Sequence, residues 1–149
     1  WSLREDTGQL YRAFASAPSY DISVPISDIE TYVDYALTNL SKIDGGIEPF
    51  IFGHLADGNL HIVLNRTGPL THEISSAVEQ ILYPSLQSLG GSFSAEHGVG
   101  SKRIFSLIST VNPTKLNLMA LIKSTVDPRQ LINPGKVLPL DALAKEKSE

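Results

Sequence analysis

Apolar positions along the chain fall into segments of different period. Tyr20–Pro25 alternates and is rich in β-formers, which predicts a strand closed by proline. Ser27-Asp28-Ile29-Glu30 has the form of a capping box. Ile29, Tyr32, Val33, Ala36, Leu37 and Leu40 then recur at helical spacing, so a helix with one apolar face is expected to run to an Asp44-Gly45-Gly46 stop. Glu48–Asn65, centred on Asp57-Gly58, reads as a β-hairpin. A second helix is expected from Thr71 as N-cap to Leu89, with Ile74, Val78, Ile81, Leu82, Leu86 and Leu89 inward and Pro84 kinking it. After Gly90-Gly91 come an irregular Ser/Gly/His segment, a short apolar stretch at Ile104–Val111, and a helix opened by Asn112 and Pro113 and closed by Asp127-Pro128. Asn133-Pro134-Gly135-Lys136 reads as a turn. With no repeat and no long linker, the pattern predicts one α+β domain over residues 1–140, an antiparallel sheet flanked by helices, with a frayed tail at 141–149.

Composition narrows the classes of function. The chain has 149 residues, 42% of them hydrophobic and 19% charged, enough for a core that needs no covalent staple. It has no cysteine, which excludes disulfide scaffolds, zinc ribbons, iron–sulfur clusters and thiol nucleophiles. A net charge of −4 without a basic stripe gives no nucleic-acid footprint. No apolar run approaches the ~20 residues that span a bilayer and no signal-peptide pattern leads the chain, so a soluble protein is expected, its compartment left open between cytoplasm and mitochondrial matrix. The sequence begins at Trp1 and its single methionine is Met119, so it is expected to be a piece of a longer protein.

The hairpin carries the first chemical signal. A two-residue Asp57-Gly58 turn pairs Ala56 with Asn59, Leu55 with Leu60, and His54 with His61. Directly opposed Cβ atoms lie about 4.5–5.5 Å apart, so both imidazoles can reach one ion. The same register gathers Ile51, Gly53, Leu55, Leu60, Ile62 and Leu64 on the other face, and a one-residue slip would mix the two sets. The competing reading is a half-exposed histidine pair with no ligand.

Glu96-His97 strengthens the metal reading. The residues lie in the glycine-bearing segment Gly90-Gly-Ser-Phe-Ser-Ala-Glu-His-Gly-Val-Gly100, where backbone can approach a ligand closely. Two histidines and a carboxylate suit Zn²⁺, Mn²⁺ or Fe²⁺ with positions left for substrate oxygens. His97 would then be free to act as a base, since imidazoles ordinarily titrate near neutral pH. Other motifs fail their templates. Gly98-Val99-Gly100-Ser101-Lys102 has neither the order of a phosphate loop nor a third glycine, and no Gly-x-Ser-x-Gly elbow exists. His72, beside Glu73 at a helix start, reads as solvated surface.

Four segments together resemble the C-terminal substrate domain of FAD-linked 2-hydroxy acid oxidoreductases, the group of D-lactate dehydrogenases, D-2-hydroxyglutarate dehydrogenases and the glycolate oxidase FAD subunit. They are Trp1-Ser-Leu-Arg-Glu5, Gly53-His-Leu-Ala-Asp-Gly-Asn-Leu-His61, Gly90-Gly-Ser-Phe-Ser-Ala-Glu-His-Gly98 and Asp127-Pro-Arg-Gln-Leu-Ile-Asn-Pro-Gly-Lys136. The resemblance implies oxidation of a D-2-hydroxy acid with hydride transfer to FAD. It implies that His54, His61 and Glu96 hold a divalent metal, Zn²⁺ or Mn²⁺, and that His97 is the general base. It further implies that Arg4 clamps the substrate carboxylate, that Asn59 contacts substrate near the metal, and that Asn133 and Lys136 lie near the flavin. The partners implied are a small 2-hydroxy acid, an N-terminal FAD-binding domain of the parent chain and an electron acceptor left open; a homodimer is allowed. Two positions depart from the family pattern. Ala56 stands where glycine is common, and Ser19 stands where many members carry a substrate-binding lysine.

The expectation is a fragment inactive by itself. Two readings stand beside it: a non-catalytic metal or small-acid binding module, and a metal-dependent hydrolase, each using His54, His61 and Glu96.

Overall fold

A computed structural model describes residues 6, 8–14, 18–43 and 46–139 of the chain. It falls into two compact units, residues 1–96 and 97–149. Arg4 and the 141–149 tail lie outside the described residues.

Unit 1 is built on a three-stranded antiparallel sheet. Strands β1 (Ser19–Ser23), β2 (Ile47–His54) and β3 (Asn59–Arg66) are arranged β1-β3-β2, with β3 central. The expected antiparallel sheet and its helices are present, so the α+β class holds. Alternation divides the sheet into two faces. Tyr20, Ile22, Leu60, Ile62 and Leu64 lie on one face and are buried. The helices among the described residues of this unit are α1 (Gly8–Ala13), α2 (Ile29–Ile43), α3 (His72–Leu82) and α4 (Pro84–Leu89). From α2, α3 and α4, Tyr32, Ala36, Leu40, Val78, Leu82 and Leu86 complete the core. The Tyr32 hydroxyl donates to the Leu82 carbonyl oxygen at 2.7 Å, satisfying a polar group inside that core. Tyr20 meets Tyr83 edge-on with ring centroids 6.3 Å apart. Burial, with the Glu79 charge, pushes its phenol up to about 12 against the opposing Ser75 hydrogen bond.

Several local expectations change. The hairpin turn is four residues long, not two: Leu55–Asp57 form a 3₁₀ turn and Gly58 follows in the left-handed region at φ 68. The register shifts accordingly, pairing His54 with Asn59, Gly53 with Leu60 and Phe52 with His61. Because the shift is two residues, every strand side chain keeps its predicted face, while Leu55 leaves the sheet and is exposed. Ala56 is not among the positive-φ residues, so it bears no backbone strain in this turn. The capping box does not form. A 3₁₀ turn at Ile26–Asp28 leads into α2, and the Ser27 hydroxyl donates to Asp28 instead. The long second helix is divided into α3 and α4 because Pro84 sits at the start of α4, where a missing N–H costs nothing. Thr71 does cap α3, its hydroxyl accepting from the Ile74 N–H at 3.3 Å. Helix α1 had no signal in the hydrophobic pattern.

Unit 2 carries α5 (Ile104–Thr110) and α6 (Pro113–Val126). The apolar stretch at Ile104–Val111 is thus helical. Asn112 caps α6 as expected, accepting from the Thr114 N–H at 2.8 Å. No residue of α6 is buried, and Leu118, Leu121, Ile122 and Val126 stand in solvent. Beyond α6, the buried carboxylate of Asp127 accepts from Lys123 Nζ at 2.7 Å and from the backbone N–H groups of Leu131 and Ile132 at 2.8 and 2.9 Å. These bonds, the lysine first, hold it down at about 2 despite its desolvation.

Candidate metal centre

The sheet face opposite the core is apolar at one end and polar at the other. Phe50 and Val63 share the apolar end with Phe14, whose ring lies 5.1 Å from that of Phe50. At the polar end the register places Asp21 opposite His61, and Ser23 and His54 on either side of Asn59. The chain returns to this end after α4. Ser23 and Ser92 exchange backbone hydrogen bonds of 2.8 and 2.9 Å, so the Ser92–Glu96 segment runs along the edge of β1. Gly91 permits that approach, because a Cβ there would strike the Ser23 carbonyl oxygen.

Glu96 is thereby brought to both histidines. Its Oε1 is 3.4 Å from His54 Nε2 and its Oε2 is 3.8 Å from His61 Nε2. One ligand atom from each of the three residues lies within 4.8 Å of the others. Donors about 2.1 Å from a tetrahedral ion stand about 3.4 Å apart, so small side-chain rotations suffice to close the set on one cation. Exposure is graded across the site: Asp21 is 1% exposed, His61 14%, His54 40% and Glu96 46%. The donors therefore rest on buried protein on one side and open to solvent on the other, the form of a site that leaves positions for substrate.

Asp21 was not singled out from sequence. Its carboxylate Oδ2 accepts from the Glu96 backbone N–H at 2.8 Å, and its Oδ1 lies 3.7 Å from His61 Nδ1. The signal was present in the alternation of Tyr20–Pro25, which puts Asp21 on the non-core face, but nothing local told that β1 would pair with β3. Asn59, expected near the metal, is on this face between Ser23 and His54, 3% exposed, and neither polar atom of its amide makes a hydrogen bond.

Other expected residues are not among these three donors. His97 directly follows Glu96, is exposed, and belongs to unit 2. Asn133 and Lys136 lie on an exposed turn of unit 2, with Asn133 at φ 48 and the Lys136 N–H donating to the Asn133 carbonyl oxygen at 3.2 Å. His72 is exposed at the start of α3, as read from sequence. Among the described residues no helix is long and apolar enough to cross a membrane.

The protein is an α+β domain: an antiparallel sheet with a helical core on one face and a two-histidine, one-carboxylate cluster on the other. Residues 1–137 match the family described as FAD linked oxidases, C-terminal domain, and the chain belongs to that family. Among its relatives are D-2-hydroxyglutarate dehydrogenase, mitochondrial, of Arabidopsis thaliana, 31% identical over 93% of this chain and 24% of the relative. The protein of that name from Danio rerio is 34% identical over 93% of this chain and 26% of the relative. Probable D-lactate dehydrogenase, mitochondrial, of Danio rerio is 33% identical over 94% of this chain and 29% of the relative. The chain thus spans about a quarter of the length of these proteins.

Proposed function

We propose that the chain is the metal- and substrate-holding part of an FAD-dependent oxidoreductase that converts a D-2-hydroxy acid to a 2-oxo acid. The observation that carries this reading is the convergence of His54, His61 and Glu96 on one point of the open sheet face. The donor set fits Zn²⁺ or Mn²⁺, which when bound would lower the pKa of a nearby hydroxyl and fix its orientation. FAD, when bound, accepts the hydride that leaves the α-carbon.

The chain's own residues do the rest. His97 takes the hydroxyl proton at an imidazole nitrogen, and Arg4 holds the substrate carboxylate with its bidentate fork. Asn59 supplies an amide whose donors and acceptor are already desolvated, so bonding a ligand oxygen there costs no further dehydration of the protein group. Asn133 and Lys136 would help hold the flavin. Ser19, exposed at the head of β1, brings no cation to the site face, which favours a hydroxy acid with a single carboxylate. The relatives' names cover both kinds of acid.

The test is metal analysis of the purified chain, followed by assay of D-2-hydroxy acids with a dye acceptor after adding the flavin-binding part of the parent protein in trans. Metal bound by the three ligands, with turnover only after reconstitution, supports the reading. Turnover by this chain alone would sink the division of labour. Metal binding without turnover in the reconstituted enzyme would favour a non-catalytic binding module on the same residues.

A further inference from the structure

Asp21 is nearly wholly buried, yet it stands on the sheet face that carries the donor cluster. A buried carboxylate is retained only where partners offset its desolvation. Two groups beside its oxygens belong to the cluster: the backbone N–H of Glu96, 2.8 Å from Oδ2, and Nδ1 of His61, 3.7 Å from Oδ1. The Asp21 carbonyl oxygen accepts from the Ala95 N–H at 3.4 Å, so one residue grips the backbone of the Glu96 loop twice. Its place is fixed by the strand register, which sets Asp21 directly across from His61.

The geometry divides the His61 ring by function. Nε2 faces the Glu96 carboxylate at 3.8 Å, while Nδ1 faces Asp21. A histidine that binds a cation through one nitrogen needs a proton on the other, and a carboxylate beside that nitrogen selects the tautomer and the ring plane. At 3.7 Å the Asp21–His61 contact is longer than a hydrogen bond, and a small ring rotation closes it.

We infer that Asp21 is the positioning residue of the centre: it holds His61 with Nε2 toward the cation and sets the Glu96 loop against the histidines through its backbone amide. This rests on the metal reading above. Asp21 is not itself placed as a ligand, since it lies on the far edge of the His61 ring.

The experiment is Zn²⁺ titration and Co²⁺ visible absorption on the purified chain, comparing wild type, Asp21→Asn and His61→Ala, with folding checked by circular dichroism. Asp21→Asn keeps an oxygen for the Glu96 N–H but replaces a pure acceptor with a group able to donate toward Nδ1. It should weaken Zn²⁺ binding by about 10–100-fold and alter the Co²⁺ spectrum. Histidine ¹⁵N shifts of the wild-type Zn²⁺ complex supply a readout that needs no variant: His61 should carry its proton on Nδ1 and the metal on Nε2. The reverse tautomer, or a folded Asp21→Asn protein with wild-type affinity and spectrum, overturns the inference while leaving the metal site standing. If wild type binds Zn²⁺ no better than His61→Ala, the metal reading itself fails, and this inference falls with it.

Discussion

His54 and His61 meet along a diagonal of the hairpin, their rings 5.6 Å apart at 84°, although Asn59 stands across from His54 and Phe52 across from His61. Diagonal residues are about 7–8 Å apart on the backbone, which long side chains still bridge. The wider spacing leaves room for Glu96 to address both Nε2 atoms, at 3.4 and 3.8 Å.

Removal of a ligand should therefore abolish most cation binding. His54→Ala and Glu96→Gln are each expected to weaken Zn²⁺ or Mn²⁺ binding beyond the 10–100-fold typical of a supporting residue. Both positions are substantially exposed, so the variants should fold. Isothermal titration checks this, and unchanged affinity in both would remove the site.

Asp127 predicts an acid-sensitive clasp at the end of α6. Its carboxyl, ordinarily near 3.8, is lowered to about 2, chiefly by Lys123. A depressed pKa contributes stability that is complete above the unfolded value and is lost as pH falls from about 4 toward 2. Protection of the Leu131 and Ile132 amides against hydrogen exchange should fall across that window. Asp127→Asn should raise their exchange at pH 7 and flatten the pH dependence.

Tyr32→Phe should cost about 1 kcal/mol, the usual net worth of a hydrogen bond, by leaving the Leu82 carbonyl without its buried donor. The loss is on the core face, so Zn²⁺ affinity should not change. Urea denaturation and titration on one sample separate the two quantities.

The hairpin turn makes a paired prediction. Gly58 is left-handed, and a Cβ there would strike the Val24 carbonyl oxygen, so Gly58→Ala should destabilise by well over 1 kcal/mol. Ala56→Gly relieves no strain and should cost up to about 1 kcal/mol through unfolded-state entropy. Thermal melts of both would show the asymmetry, and a stabilised Ala56→Gly would contradict the observed turn.

Two kinds of information lay in the sequence to different degrees. The face on which His54 and His61 project was readable because strand alternation survives a two-residue shift in register. The turn itself is not legible, because Asp57-Gly58 satisfies a tight-hairpin pattern equally well when Gly58 ends a 3₁₀ turn. Capping of α3 by Thr71 and of α6 by Asn112 is local chemistry and was legible. Asp21 was not, since its role depends on pairing with a strand some forty residues away. The convergence of Glu96 was legible only as a choice of residue type, not as a position, because Ser23–Ser92 bonding is long-range.

The bare apolar residues of α6 bear on how the isolated chain behaves in solution. Leu118, Leu121, Ile122 and Val126 offer exposed apolar surface, whose association a net charge opposes. The net charge is −4 at pH 7 and vanishes near the isoelectric point of about 5.5. The protein should thus cloud on mild acidification, well before the Asp127 clasp begins to open.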